Sequence, residues 1–179
     1  MTLSNDQRRN VVEAARAAIV AKVAGLATPR VTLEGLPTSS GVFVTVRIDG
    51  ALRGCLGTLD HECRLAEEVV RCAAEAASVD PRFSPVTPEE LDALKLDVSV
   101  LGPLERIDPH EPGAIVIGEH GLVVEKGRSR GLLLPQVAVE WSWTPEKFLQ
   151  QTSIKAGLSP HAWRSDAAVY RFSADVFGD

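Results

Sequence analysis

No apolar run in this chain approaches the roughly 20 residues that a membrane-spanning helix needs. A spanning helix is therefore not expected. Cysteine is scarce, at three in 179 residues, and an odd set of thiols does not suggest a disulfide framework. The opening stretch MTLSNDQRRN lacks the basic-then-apolar order of a secretory signal. The expectation is a cytoplasmic protein. A basic excess is also missing: the net charge is −5 and the pI about 5.4. That balance works against non-specific nucleic-acid binding, which depends on neutralising phosphates. Lys126, Arg128 and Arg130 do cluster in EKGRSRG, a run that reads as a solvated hairpin turn. Phosphate-loop, zinc-ligand and complete triad motifs are absent from the sequence. So is the cysteine spacing of an iron–sulfur cluster. The sequence thus implies no resident cofactor and no metal.

What is present is ordinary globular composition, 45% hydrophobic and 24% charged. SNDQRRNVVEAARAAIVAKVAG reads as a helix, with Ser4 and Gln7 placed for a capping box and Gly25 for its end. VFVTVRI alternates as a strand, and Asp49-Gly50 signals a tight hairpin turn. The returning strand is ALRGCLGTLD. A second helix is expected over DHECRLAEEVVRCAAEAAS and a short third one over TPEELDAL, followed by the strand LDVSVLG. The middle is rich in Gly and Pro, with short strands expected at AIVI, LVVE and LLLP. TPEKFLQQTSIKAGL is a further helix, and VYRFSADVF a closing strand. Helices and hairpins in this order imply an α+β fold. The expected form is a mostly antiparallel sheet flanked by helices, with a smaller inserted β-rich lobe. The main lobe would cover about 1–101 and 137–179, and the small lobe about 102–136.

The returning strand is peculiar. Gly54 and Gly57 flank the thiol of Cys55, and Arg53 precedes it. A two-residue hairpin loop at Asp49-Gly50 would set Val46 opposite Arg53 and Val44 opposite Cys55. An arginine on that apolar face needs an anion or a route to water. It would lie roughly 7 Å along the strand from the thiol, near enough to favour a thiolate or hold an anionic ligand. The glycines admit a ligand or another backbone. Taken alone, however, Cys55 also reads as a small buried hydrophobe. Cys63 and Cys72 are nine residues apart on one expected helix, hence on opposite faces, and cannot share a metal ion. A cluster of Cys55, His61 and Cys63 matches no common zinc spacing.

LRGCLGTL, DPRFSPVTPEEL, LDVSVLGP, IGEHGLVVE, GLLLPQVA, FLQQTSIKAGL and VFGD follow one another in an order that resembles the AMMECR-type domain. In prokaryotes this domain is protein A of the AmmeMemoRadiSam system. The resemblance runs over nearly the whole chain. It implies a two-lobed α+β fold and partnership with a Memo-like protein and a radical-SAM enzyme, in which any radical chemistry would lie. RNA modification is among the activities it suggests. This chain has Ser153 where the family often has a cysteine before KAGL, which speaks against a two-thiol mechanism.

The candidate site gathers Cys55 as nucleophile or ligand contact and His120, inside GEHG, as base. Arg53 and Arg82 would grip phosphate or carboxylate. Gly54, Gly57 and Thr58 would shape the floor, and Asp80, Phe83, Gln136 and Glu140 would complete the lining. Plain structural roles stand beside each assignment. DPRF also reads as a turn in which Asp80 caps a loop, Arg82 forms a salt bridge and Phe83 fills core. His120 also suits an unusual turn angle, Pro135 a strand end, Gln136 a backbone partner and Lys155 a helix C-terminus. Trp141, Trp143 and Trp163 read as packing in the core or between lobes rather than as a platform for bases. Two functions stay open: a ligand-binding or partner-docking component, and a cysteine-dependent enzyme acting on a small or RNA-linked anionic substrate.

Overall fold

The computed structural model describes residues 3–31, 33 and 35–179, without the side chains of 60–63. It is α+β, and its residue contacts divide it into two units. The first comprises Met1–Leu101 with Asp175–Asp179, the second Gly102–Ala174. None of the described helices is long and apolar enough to cross a membrane.

In the first unit, helix α1 (Asn5–Val23) opens on the expected capping box between Ser4 and Gln7. Strands β1 (Ser39–Ile48) and β2 (Ala51–Cys63) form the hairpin, and helix α2 (Leu65–Ala76) follows. A 3₁₀ helix, Pro88–Ala93, carries the capping box of Thr87 and Glu90 and leads into β3 (Leu94–Leu101). The sheet order is β2-β1-β3-β8, where β8 is Ala174–Gly178. Val42, Val44, Val46, Leu96 and Val98 are buried on one face, in a core shared with Val11, Ala15 and Ile19 of α1 and Val69 and Ala73 of α2.

The hairpin corrects the expected register. Asp49 and Gly50 both have positive φ, at 51° and 80°, as a type I′ turn requires. Ile48 does pair with Ala51, and Arg47 pairs with Leu52. Then the register shifts: Val46 pairs with Gly54, Thr45 with Cys55 and Val44 with Leu56. Arg53 is the extra residue of a β-bulge. One inserted residue moves every later side chain to the other face. Cys55 therefore shares Thr45's face rather than that of Val44, and Leu56 takes the core-facing place.

The two glycines are explained by packing. A Cβ on Gly54 would lie 2.0 Å from the carbonyl oxygen of Ala76, so the end of α2 rests directly on β2. A Cβ on Gly57 would fall 2.3 Å from the Phe43 ring. The neighbours admitted by these glycines belong to the protein itself. Helix α2 also starts later than expected, because β2 continues to Cys63.

The second unit has a sheet of order β4-β7-β5-β6, with β4 Glu105–Ile107, β5 Gly121–Lys126, β6 Ser129–Leu133 and β7 Ala168–Phe172. β4 with β7, β7 with β5 and β5 with β6 all pair antiparallel. Helices α3 (Pro135–Glu140) and α4 (Pro145–Lys155) lie between β6 and β7 in sequence. Phe148, Leu149, Trp163, Leu122, Val124 and Val169 form its core. The expected strand AIVI is turn and irregular backbone instead; Ala114 and Ile115 still reach the core. Pro135 begins a helix rather than ending a strand. The second unit also extends beyond residue 136, since β7 pairs with both β4 and β5. VYRFSADVF is two strands, β7 and β8, assigned to different sheets with Ser173 between them.

The Gly54 contact gives a direct test. Gly54→Ala should cost about 1–3 kcal/mol, the usual penalty of overpacking. In urea unfolding this would appear as a lower midpoint. A midpoint equal to the parent's would show that α2 yields easily at Ala76.

Candidate functional site

β2 is an edge strand of its sheet, so the backbone groups of Cys55 that point away from β1 need other partners. They find them in DPRF. The Cys55 N–H donates to Asp80 Oδ2 at 2.8 Å, and Arg82 Nη2 donates to the Cys55 carbonyl at 3.2 Å. Arg82 is itself held to Asp80 by Nε to Oδ1 at 3.0 Å and Nη2 to Oδ2 at 2.7 Å. The Arg82 backbone N–H also donates to Asp80 Oδ1, at 3.1 Å. The carboxylate and the guanidinium thus act as a short substitute strand.

The electrostatics follow from burial. The Asp80 side chain is 2% exposed and that of Arg82 52% exposed. The Arg82 guanidinium holds the Asp80 carboxyl far below the usual carboxylate range; desolvation opposes this, and the Cys55 N–H assists. Arg82 is raised in turn, chiefly by Asp80 and also by the Cys55 thiol beside it. Its guanidinium lies 5.4 Å from the centre of the Phe83 ring.

The thiol of Cys55 is half-buried. It accepts a hydrogen bond from Thr45 Oγ1 at 3.3 Å. Thr45 was not anticipated, because the unshifted register set it on the wrong face; the Thr at its position in VFVTVRI is its only sequence signal.

Arg53 goes elsewhere. Its Nε and Nη2 donate to Glu90 at 2.8 and 3.0 Å, and it also donates to the carbonyls of Ser84 and Pro85. Glu90 Oε2 accepts the Thr87 N–H at 2.8 Å as well. Arg53 and the Thr87 N–H together lower the Glu90 pKa. Arg53 therefore serves as a strut between the β2 bulge and the 84–90 segment, and Glu90 is the anion it needed. Glu90 was legible in the sequence only as a capping residue.

The proposed lining divides between units. Arg53, Gly54, Cys55, Gly57, Thr58, Asp80, Arg82 and Phe83 belong to the first; His120, Gln136 and Glu140 belong to the second. Gln136 and Glu140 are on α3. His120 Nδ1 accepts the Val116 N–H at 3.0 Å. In the neutral ring the proton then sits on Nε2, so neither nitrogen offers a free lone pair to a thiol. Burial and the charge of Arg171 lower its pKa, which keeps it neutral. His120 is thus a turn-bracing residue. Among the described residues, no cluster of three or more His, Cys, Asp and Glu could hold a metal; the His61 and Cys63 side chains lie outside the described residues.

A family model described as AMMECR1 matches residues 12–177. A protein of Methanothermobacter thermautotrophicus is 44% identical over 184 residues, covering 98% of this chain and 95% of that one. Protein PH0010 of Pyrococcus horikoshii is 47% identical over 158 residues, covering 83% and 77% of the two chains. The crystal structure of the same uncharacterized PH0010 superposes with a TM-score of 0.89 at 41% identity, covering 99% of this chain and 93% of that one.

The Asp80 contacts predict a pH dependence. The folded pKa of Asp80 lies below its unfolded value. Its stabilising contribution is therefore complete above the unfolded carboxylate value of about 3.9 and is lost as pH falls through the folded value. Asp80→Asn should lower stability by about 1.5–3 kcal/mol at pH 7. The gap to the parent should hold from pH 8 to pH 5 and narrow below pH 4 in denaturant titrations. A gap that stayed constant to pH 2 would show that the charge of Asp80 is unimportant.

Proposed function

Because the chain belongs to the AMMECR1 family, we propose that it is a ligand-binding or partner-docking component of a Memo-like protein and a radical-SAM enzyme, with no chemistry of its own. One observation supports this reading above others. The charged groups beside Cys55 are committed to the backbone: Asp80 to its N–H and Arg82 to its carbonyl. Arg53, the expected anion clamp, is occupied by Glu90. The half-buried thiol then rests on a braced strand edge, a presenting surface rather than an activated centre. The partners come from the family resemblance, and the site residues on this reading are Cys55, Thr45, Arg82 and Phe83.

A second reading has its own support. The Arg82 guanidinium, half-exposed, donates to the Cys55 carbonyl and so sets a cation at the strand position that carries the thiol. On that reading the chain is a cysteine-dependent enzyme acting on a small or RNA-linked anionic substrate. It would need a proton acceptor other than His120, whose Nδ1 is engaged.

Labelling tests the access to Cys55 that both readings need, and co-sedimentation and turnover separate them. In a Cys63→Ala chain, native iodoacetamide labelling should reach Cys55 and spare Cys72, which is fully buried. The purified chain should co-sediment stoichiometrically with the Memo-like or the radical-SAM protein encoded in the same genome. Alone it should turn over no RNA-linked or small anionic substrate. Turnover by the isolated chain, abolished in Cys55→Ala and accompanied by a covalent adduct on Cys55, would establish the enzyme instead.

A further inference from the structure

Trp141 is 67% exposed, against the expectation that the tryptophans pack in the core or between lobes. Of the nine aromatic side chains, it is the one classed as exposed. It caps the C-terminus of α3. Its ring stacks on Trp143, with centroids 6.3 Å apart and planes 20° apart, and Trp143 in turn meets the buried Phe148 at 6.3 Å. The indole is thus a braced plate standing out from the core of the second unit. Val139, two residues before it, and Val116, in the turn that packs on α3, are 54% and 37% exposed. A Cβ on Gly118 would lie 3.4 Å from Val139 Cγ2, so the 116–119 turn packs against α3 at this place.

Carboxylates outnumber cations on the segments around this plate, where Lys147 follows Glu146 and the nearby Arg164 and Arg171 are paired with Glu146 and Glu105. In 111–120 and 135–146 the charged side chains are Glu111, Glu119, Glu140 and Glu146, with no Lys or Arg. Arg164 neutralises Glu146. Among the described residues, Glu119 and Glu140 form no ion pair, and both are exposed. Burial keeps His120, in the same turn, neutral. An isologous contact between two copies would bring these carboxylates against themselves, in a chain whose net charge is already −5. An exposed indole flanked by carboxylates suits a cation carried on an apolar stem.

We infer that Trp141, with Val139, Glu119 and Glu140, is a docking surface for a basic, partly apolar segment of a partner protein, an arginine or lysine of which stacks on the indole. This surface uses none of Cys55, Thr45, Arg82 and Phe83, so it stands or falls separately from the function proposed above.

The test is an array of random twelve-residue peptides probed with the full chain, with Cys55→Ala, with Trp141→Ala and with Glu119→Gln/Glu140→Gln. Peptides that combine Arg or Lys with apolar residues should be enriched equally by the full chain and by Cys55→Ala. Trp141→Ala should reduce their binding at least tenfold. The double Gln variant should reduce it several-fold and flatten its salt dependence. Trp141→Phe should restore part of the loss, since a smaller aromatic face remains. Enrichment of acidic or purely apolar peptides, or equal binding by Trp141→Ala, would overturn the inference. So would self-association in sedimentation that Trp141→Ala abolishes, because it would assign the surface to a second copy. Unchanged thermal unfolding of each variant separates loss of the surface from loss of the fold.

Discussion

The pairing of Asp80 and Arg82 with the backbone of Cys55 is the constraint on which the first unit's site depends. An edge strand leaves every second residue with an N–H and a carbonyl facing outward. At Cys55 those two groups meet a carboxylate and a guanidinium that also bind each other. A neutral pair would satisfy the same geometry with weaker bonds, since charge-assisted hydrogen bonds are roughly twice as strong. Removing either partner would leave the other with a buried or half-buried charge, the expensive half of such an arrangement. The segment from Asp80 to Glu90 is thereby fastened at both ends. Asp80 and Arg82 hold Cys55, and Glu90 holds Arg53 two residues earlier.

The bulge at Arg53 makes this possible. Without the extra residue, Cys55 would sit on the core face beside Val44 and under α2. With it, Leu56 fills the core and Cys55 turns to the face of Thr45. The same insertion frees Arg53 from the ladder to reach Glu90. Gly54 then follows from the close approach of Ala76, and Gly57 from the Phe43 ring. The strand at these two glycines is thus shaped by its own neighbours, while the thiol, Thr45, the outer half of Arg82 and Phe83 lie beside it.

Much of this was legible in the residues. Ser4 and Gln7, Thr87 and Glu90, Thr144 and Pro145 mark helix starts by local chemistry, and local chemistry is what a sequence displays. Asp49-Gly50 fixed the turn for the same reason. The motifs RGCLGT and DPRF meet through hydrogen bonds to the backbone of Cys55. The bulge was not legible, because a register shift depends on what α2 and the 80–90 segment demand of β2. The two-strand division of VYRFSADVF was hidden likewise: its alternation continues through Ser173, while the pairing partners change from β4 and β5 to the sheet of the first unit. AIVI looked like a strand because β-branched residues favour one. Its buried residues in fact pack from irregular backbone, where context outweighs propensity.

His120 and Trp141 show how backbone context decides what a side chain is free to do. A histidine in a glycine turn invites a catalytic role, yet the Val116 N–H claims its acceptor nitrogen, and a base without a free lone pair is no base. A tryptophan near a helix end invites a packing role, yet the short α3 stops before it can bury the ring. The two residues stand near one another in the fold, since Gly118 of the turn lies against Val139 of α3. The turn takes up the acceptor nitrogen of His120, and the indole at the end of α3 stays exposed. In both places the backbone, through the Val116 N–H and the end of α3, sets what the side chain is left to do.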